Sequence, residues 1–202
     1  QVLVDCLQAR AVVVGADFHF GKGRRGNVQT LGAVGEEFDY QVIGLPLVKH
    51  LTGEGEVISS TSIRAALSDG DVEKAHRLLG RPFEVRGVVT PGDRRGRTIG
   101  FPTANIPTTS DLQVPSYGVY VAWYIRDDGT QDPAAVNIGK RPTFYEDADR
   151  SLIEAHLIGF RGDLYGESAK VRFVRRLRGE RKFESIEALK EQLAKDVADA
   201  AK

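Results

Sequence analysis

The residues best suited to chemistry lie between Thr90 and Pro107, in the run TPGDRRGRTIGFPTANIP. Gly92, Gly96 and Gly100 alternate there with Arg94, Arg95 and Arg97, directly after a stretch of strand-forming residues. Glycine lets backbone approach phosphate oxygens and aim N–H groups at them, and arginine adds charge. The GxxxxGK[ST] spacing of a P-loop is absent, so an ordinary hairpin with solvated arginines accounts for the same residues equally well. Phe101-Pro102-Thr103-Ala104-Asn105 follows. In extended backbone Thr103 and Asn105 share a face, and a hydroxyl with an amide oxygen makes a hard-oxygen pair suited to hydrated Mg²⁺. Both residue types also form turns, and the local chemistry leaves the two uses open.

A second candidate is Glu154, in Leu152-Ile153-Glu154-Ala155-His156-Leu157-Ile158. Period-two alternation puts Ile153, Ala155 and Leu157 on one face and Leu152, Glu154, His156 and Ile158 on the other. Glu154 then points to solvent or to a ligand cleft, and a carboxylate on the wet face of a sheet is the plainer account. His156 on that face reads as a solvated or hydrogen-bonded residue rather than a catalyst. A third candidate is Lys170 to Lys182, with seven basic residues and one acid. It suits the basic outer face of a strand running into a loop, a mobile anion-binding flap, or a nucleic-acid contact. Only Phe173 is interleaved, which speaks against the last.

The elements that would position these residues fall into two halves. Ala11 to Val14 reads as a buried parallel strand and Gly15 to Asn27 as a glycine-rich basic loop. Ala33 to Tyr40 is weakly helical, and Gln41 to Ile43 begins another strand. Ser60 or Thr61 is placed to cap a helix through Leu67, closed by Asp69-Gly70. Asp71 caps a second helix, apolar at Val72, Ala75, Leu78 and Leu79 and stopped by Gly80 and Pro82. After Pro82 the pattern changes to strands at Phe83 to Val89, Tyr117 to Ile125, Ala134 to Ile138, Leu152 to Ile158 and Lys170 to Leu177. Asp128-Gly129 marks a hairpin between two of them. Such short strands between Gly/Pro turns predict an antiparallel barrel or sandwich. Ser185 then caps a helix whose stripe of Ile186, Leu189, Leu193 and Val197 is expected to lie on the barrel.

The 202 residues carry 28 basic and 28 acidic side chains, so no basic excess points to nucleic acid or to an anionic membrane. No run of about 18 apolar residues occurs, and no charged-then-apolar leader opens the chain. A cytoplasmic setting fits. The single cysteine, Cys6, excludes an internal disulfide, and its neighbours Val4, Leu7 and Ala9 suggest a buried core thiol. The sequence has no methionine and starts at Gln1, so a missing N-terminal portion is expected. Nothing in it indicates an oligomeric state.

The stretch GRTIGFPTAN at 96 to 105 resembles the signature of riboflavin kinases. It is followed in order by YGVY (117 to 120), NIGKRPTF (137 to 144), IEAHLIGFRGDLYG (153 to 166) and LRGERKFESIEAL (177 to 189). The resemblance covers residues 82 to 202. It implies a six-stranded Greek-key β-barrel with a C-terminal helix and a reaction of ATP and riboflavin. It further implies that Thr103 and Asn105 ligate Mg²⁺ and the ATP phosphates, that Glu154 is the catalytic base, and that Gly92 to Gly100 closes over the nucleotide. Arg178 would belong to a flap on the flavin side.

The front half, residues 1 to 80, resembles the C-terminal part of an FMN adenylyltransferase, an α/β nucleotidyltransferase module. The resemblance rests on VVVGADFHFGKGRRGN (12 to 27) and ISSTSIR (58 to 64). It implies that Ser59, Ser60, Thr61 and Arg64 belong to a nucleotide site, and a helix N-terminus with hydroxyls and a cation is a sound place for polyphosphate. Capping alone accounts for the serines almost as well. That family's first motif, HxGH, is absent, so the chain by itself is expected to make FMN and not FAD. Its expected partners are the small molecules ATP, riboflavin and FMN. The competing reading is a barrel without catalysis that binds nucleic acid or protein.

Overall fold

The computed structural model describes residues 2–48, 57–93, 95–140 and 151–202. Arg94 of the glycine-rich loop and residues 141–144 of the NIGKRPTF motif therefore lie outside the described residues. The chain forms two compact units, Gln1–Ser59 and Ser60–Lys202.

In the first unit β1 (Ala11–Gly15) pairs in parallel with β4 (Gln41–Leu45), from Ala11↔Gln41 to Gly15↔Leu45. Between them β2 (His19–Phe20) and β3 (Gly26–Asn27) make a small hairpin, with Phe18 stacked on Phe20 at 5.7 Å. The α1 helix (Val28–Phe38) starts five residues ahead of its expected position because the Asn27 carboxamide oxygen accepts from the Thr30 N–H at 2.9 Å. It ends at Asp39, which takes a left-handed conformation. Two expectations fail here. Val13 of β1 is 56% exposed, since two strands and one helix cover only part of a parallel sheet's faces. Cys6 is exposed, at the end of a π-helical turn (Val2–Cys6) that buries none of its residues. Apolar neighbours in sequence do not bury a thiol unless an element packs over them.

The second unit opens with α2 (Ser60–Asp69) and α3 (Val72–Leu79). Asp71 caps α3 by accepting from the Lys74 N–H at 2.8 Å, and Gly80 closes it at φ 68°. Six barrel strands follow: β5 (Glu84–Val88), β6 (Ala104–Pro107), β7 (Gly118–Ile125), β8 (Gln131–Lys140), β9 (Ser151–Leu157) and β10 (Ser168–Arg178). A single helical turn, α4 (Arg95–Thr98), lies inside the glycine-rich loop, and α5 (Ile186–Ala200) ends the unit. The sheet order is β5-β10-β7-β8-β9-β6, all antiparallel. A bridge between Thr90 and Asn105 nearly closes it into the expected Greek-key barrel.

The barrel interior is filled by Ile106, Tyr120, Val136, Ile138, Ile153, Ala155 and Phe173, all fully buried. Ala66, Leu67, Val72 and Ala75 of the two leading helices belong to the same core. Arg176 reinforces the join, donating to the Asp69 carbonyl at the end of α2 and to the Tyr117 carbonyl, each at 2.9 Å. Packing therefore groups residues 60–79 with the barrel, although the change of sequence pattern falls at Pro82.

The C-terminal helix departs from expectation. Ser185 caps it as read, accepting from the Ala188 N–H at 3.1 Å. Its fully buried residues, however, are Asp196 and Ala200, while Ile186 is 58% exposed. Leu189, Leu193 and Val197 are only half-buried and line a cleft. The apolar stripe is a wall left facing a gap, and the buried carboxylate is what ties the helix down.

Candidate active site

Strand register assembles the site. On β6, β9 and β8 the residues Asn105, Glu154 and Asn137 lie directly opposite one another, Glu154 in the middle. The row continues through Val119 on β7 to Arg178 on β10, and on the other side Thr90 bridges to Asn105. Opposed residues project to the same face of a sheet a few ångströms apart. The flanking residues Ala104, Ile106, Ile153, Ala155, Val136 and Ile138 point into the core, which fixes Asn105, Glu154 and Asn137 on the other face.

Glu154 sits on a wall common to two clefts. The first, of about 300 Å³, is polar and lined by Gly92, Asp93, Gly96, Thr103, Asn105 and Lys140 among others. The second, of about 390 Å³, is largely apolar, with Ile99, Phe101, Val119, Phe183, Leu189 and Leu193 in its walls. Thr103, Asn137, Glu154 and Glu180 border both. A third cavity of about 200 Å³, between Leu157, Phe160, Leu164 and Tyr165, also reaches Thr103. Thr103 is thus where the three spaces meet.

The Asn137 amide donates to Glu154 Oε2 at 3.2 Å. Burial pushes the Glu154 carboxyl above the ordinary glutamate range; the Asn137 hydrogen bond works against this and the nearby Asp93 charge adds to it. Glu154 is accordingly a stronger proton acceptor than a solvated glutamate. Asn105 is 7% exposed, and its amide makes only a long contact of 3.5 Å with the Thr103 carbonyl. Among the described residues no donor reaches the Asn105 side-chain oxygen, and the Thr103 hydroxyl has no partner. Two hard oxygens in the polar cleft are therefore uncommitted.

Of the loop glycines, Gly92 and Gly96 line the polar cleft and Gly100 lines none of the three spaces. A Cβ on Gly92 would meet the Asn105 amide nitrogen at 2.5 Å, and one on Gly96 would run into the Phe101 carbonyl. These two positions need glycine for close approach. His156 donates from Nδ1 to the Pro102 carbonyl at 2.8 Å and packs edge-on against Phe101, as the hydrogen-bonded reading had it. Ser60, Thr61 and Arg64 lie in the first turns of α2 with Ser59 just before it in sequence, and none of the four lines these clefts.

Arg178 borders the larger cleft at the end of β10, but its guanidinium is held by Asp196 of α5, with Nη2 to Oδ2 at 2.7 Å. Gln192 donates to the same carboxylate at 2.8 Å. The rest of the basic run is largely committed too. Arg172 pairs with Glu84 at 3.1 Å, Arg175 donates to the Asp199 carbonyl at 2.8 Å, and Arg176 is bound as described above. That stretch is a set of internal ties more than an open anion-binding surface. Sequence reasoning missed Asn137, Glu180 and Asp196. Asn137 stands at the head of NIGKRPTF, a motif with no chemical role of its own to betray it, and Asp196 looked like one more charge on a helix.

Residues 79–202 match the riboflavin kinase family, and residues 1–62 match the family described as FAD synthetase. Among curated relatives, the bifunctional riboflavin kinase/FMN adenylyltransferase of Bacillus subtilis is 41% identical over 96% of this chain and 60% of its own length. The protein of the same description from Escherichia coli K12 is 38% identical over 96% of this chain and 60% of its own. The chain thus spans about three fifths of these relatives. A solved structure described as a macrolide-efflux protein from Streptococcus pneumoniae superposes with a TM-score of 0.77 at 34% identity, covering 99% of this chain and 64% of that one. Among the described residues no helix is long and apolar enough to cross a membrane.

Proposed function

Because the chain belongs to the riboflavin kinase family, we propose that it transfers the γ-phosphoryl group of ATP to the terminal ribityl hydroxyl of riboflavin, giving FMN and ADP. The observation that carries this reading is the place of Glu154, a carboxylate on the wall between a polar cleft and an apolar one. A phosphoryl donor on one side and a flat apolar acceptor on the other would meet at that residue. The ATP phosphates lie along Gly92, Gly96, Thr103 and Asn105. The small cavity between Phe160 and Tyr165 has the size and lining for the nucleotide base. The flavin ring system fills the larger cleft, against Phe101 and the apolar face of α5. Gly100 ends the loop's helical turn in a left-handed conformation, φ 94°, that glycine adopts without strain.

Thr103 and Asn105 are the residues that would hold Mg²⁺. Their uncommitted oxygens are neutral, which suits a cation whose charge is balanced by phosphate and by Asp93 in the same cleft. When bound, the metal supplies charge neutralisation on the phosphate oxygens. Glu154 orients the acceptor hydroxyl and takes its proton as that oxygen attacks phosphorus in line. The ring walls align the two substrates and exclude water, and alignment is the larger part of catalysis in a reaction with so little covalent work for the protein.

Residues 1–80 are read as the C-terminal part of an FMN adenylyltransferase domain and 82–202 as the kinase domain. Ser59, Ser60, Thr61 and Arg64 would belong to the former's nucleotide site. The longer protein would then also convert FMN to FAD, in the cytoplasm where its co-substrate ATP is found. The test is to incubate the purified chain with riboflavin, ATP and Mg²⁺ and separate the flavins chromatographically. FMN without FAD is expected, and no flavin phosphate at all would overturn the kinase reading.

A further inference from the structure

We infer that Asn137 is a positioning residue for this phosphoryl transfer, holding one carboxylate oxygen of Glu154 so that the other faces the acceptor hydroxyl. The inference rests on the kinase reading of the same site. Asn137 and Glu154 are directly opposed on neighbouring strands, so their side chains leave the sheet together. The Asn137 amide donates to Oε2 at 3.2 Å, and among the described residues this is the one side-chain hydrogen bond that Glu154 receives. A glutamate has three side-chain torsions, and at the mouth of two clefts little else would choose among its rotamers. With Oε2 held, Oε1 is the oxygen left to the substrate.

The chemistry of the donor matters as much as its place. Lys140 and Arg95 also line the polar cleft, and either could have supplied a donor with a charge. A cation would fix the carboxylate and at the same time weaken it as a base, whereas a neutral amide orients it at less cost in basicity. The amide is kept accessible by Gly139, where a Cβ would stand 3.4 Å from Asn137 Nδ2 and 2.9 Å from Glu180 Oε1. Glu180 borders the same gap, and the hydrogen bond of the Asn137 amide goes to Glu154.

The test compares steady-state kinetics of Asn137→Ala, Asn137→Asp and Asn137→Gln with the unsubstituted chain, alone and combined with Glu154→Gln. Asn137→Ala is expected to lower kcat by about 10- to 100-fold, as for the loss of one hydrogen bond to a charged group. KM for ATP and for riboflavin should stay within about twofold, because binding is not what the residue supplies. Asn137→Asp keeps the shape but sets a like charge beside Glu154, and should lose at least as much. Asn137→Gln keeps the amide and should recover part of kcat. In the Glu154→Gln background, Asn137→Ala should add almost nothing. Unchanged kcat in Asn137→Ala, full activity in the isosteric Asn137→Asp, or losses that add in the double variant would each overturn the positioning role. Thermal midpoints of all variants separate these results from misfolding. If Glu154→Gln alone leaves turnover intact, it is the base assignment that fails.

Discussion

A general base for a sugar-like hydroxyl has to be raised in basicity and still be held in place, and Glu154 meets the first condition through burial and through Asp93. Glu154→Gln should lower kcat by about 10²- to 10⁴-fold, the usual worth of general-base help. ATP binding should change little, because the carboxylate is not the phosphate cradle; single-turnover kinetics alongside nucleotide titration checks both. At this scale the sequence was readable where residue type and spacing coincide with a face. Thr103 and Asn105, two apart in sequence, line the same cleft, and Glu154 faces away from buried Ile153 and Ala155, as the alternation suggests. Asn137 was not readable because its meaning lies in which residue of a different strand it faces, and period-two patterning carries no information on pairing. Cys6 erred in the opposite way: its neighbours are apolar but nothing makes them a core.

At the scale of elements, ion pairs decide how strands and helix are joined. Asp196 is 4% exposed and anchors α5 to the end of β10 through Arg178. Asp196→Ala would leave a largely buried guanidinium without its partner and should cost about 3 kcal/mol of unfolding free energy, read by urea denaturation. The weakened wall of the apolar cleft should also reduce riboflavin affinity. On the opposite flank Glu84 of β5 faces Arg172 of β10 in register. Burial pushes the Glu84 carboxyl up, but its bonds to Arg172 and Arg86 outweigh this and hold it below the ordinary value. A carboxyl lowered in the folded state stabilises the protein above its unfolded pKa, and that stabilisation is lost as pH falls through the folded one. Glu84→Gln should therefore be less stable than the unsubstituted chain at neutral pH, the gap closing in acid below the glutamate range. Thermal melts of the two at a series of pH values decide it. Strand existence was legible from alternation, but β10 shifts register between Phe173 and Arg175 and again between Arg176 and Arg178. The first bulge turns Arg176 to the core side, towards Tyr120, which strict alternation could not foresee, and the second restores the parity so that Arg178 again faces the cleft.

For the whole second unit, the core does not begin at the first barrel strand. Leu67 and Val72 are 2% and 1% exposed and pack with residues of the barrel. A fragment of residues 60–202 should fold cooperatively and phosphorylate riboflavin, whereas one of residues 82–202 should melt lower and be prone to aggregate through the uncovered core. Calorimetry of the two fragments distinguishes these outcomes. Packing joins residues 60–79 to the barrel although the sequence pattern changes at Pro82, because a change from helical to strand periodicity marks a change of element type and packing runs across it. The Greek-key form was implied by the family resemblance, and the strand order was not legible at all, since no local pattern says which of six strands are neighbours.

The row from Asn105 through Glu154 to Asn137 has a bearing on how such a protein can diverge. All three residues reach the clefts only while three strands keep step, and each neighbouring position on those strands faces the core. An insertion or deletion of one residue within β6, β8 or β9 would send an amide or carboxylate inward and an isoleucine or alanine outward, whereas a change of two would restore the facing and move the site along the barrel. Length variation that lineages retain should then collect in the turns, such as Asp127 to Thr130 between β7 and β8. Inside the three strands the odd-numbered gaps should be purged, a parity rule that a deletion library scored for flavin phosphorylation would expose directly.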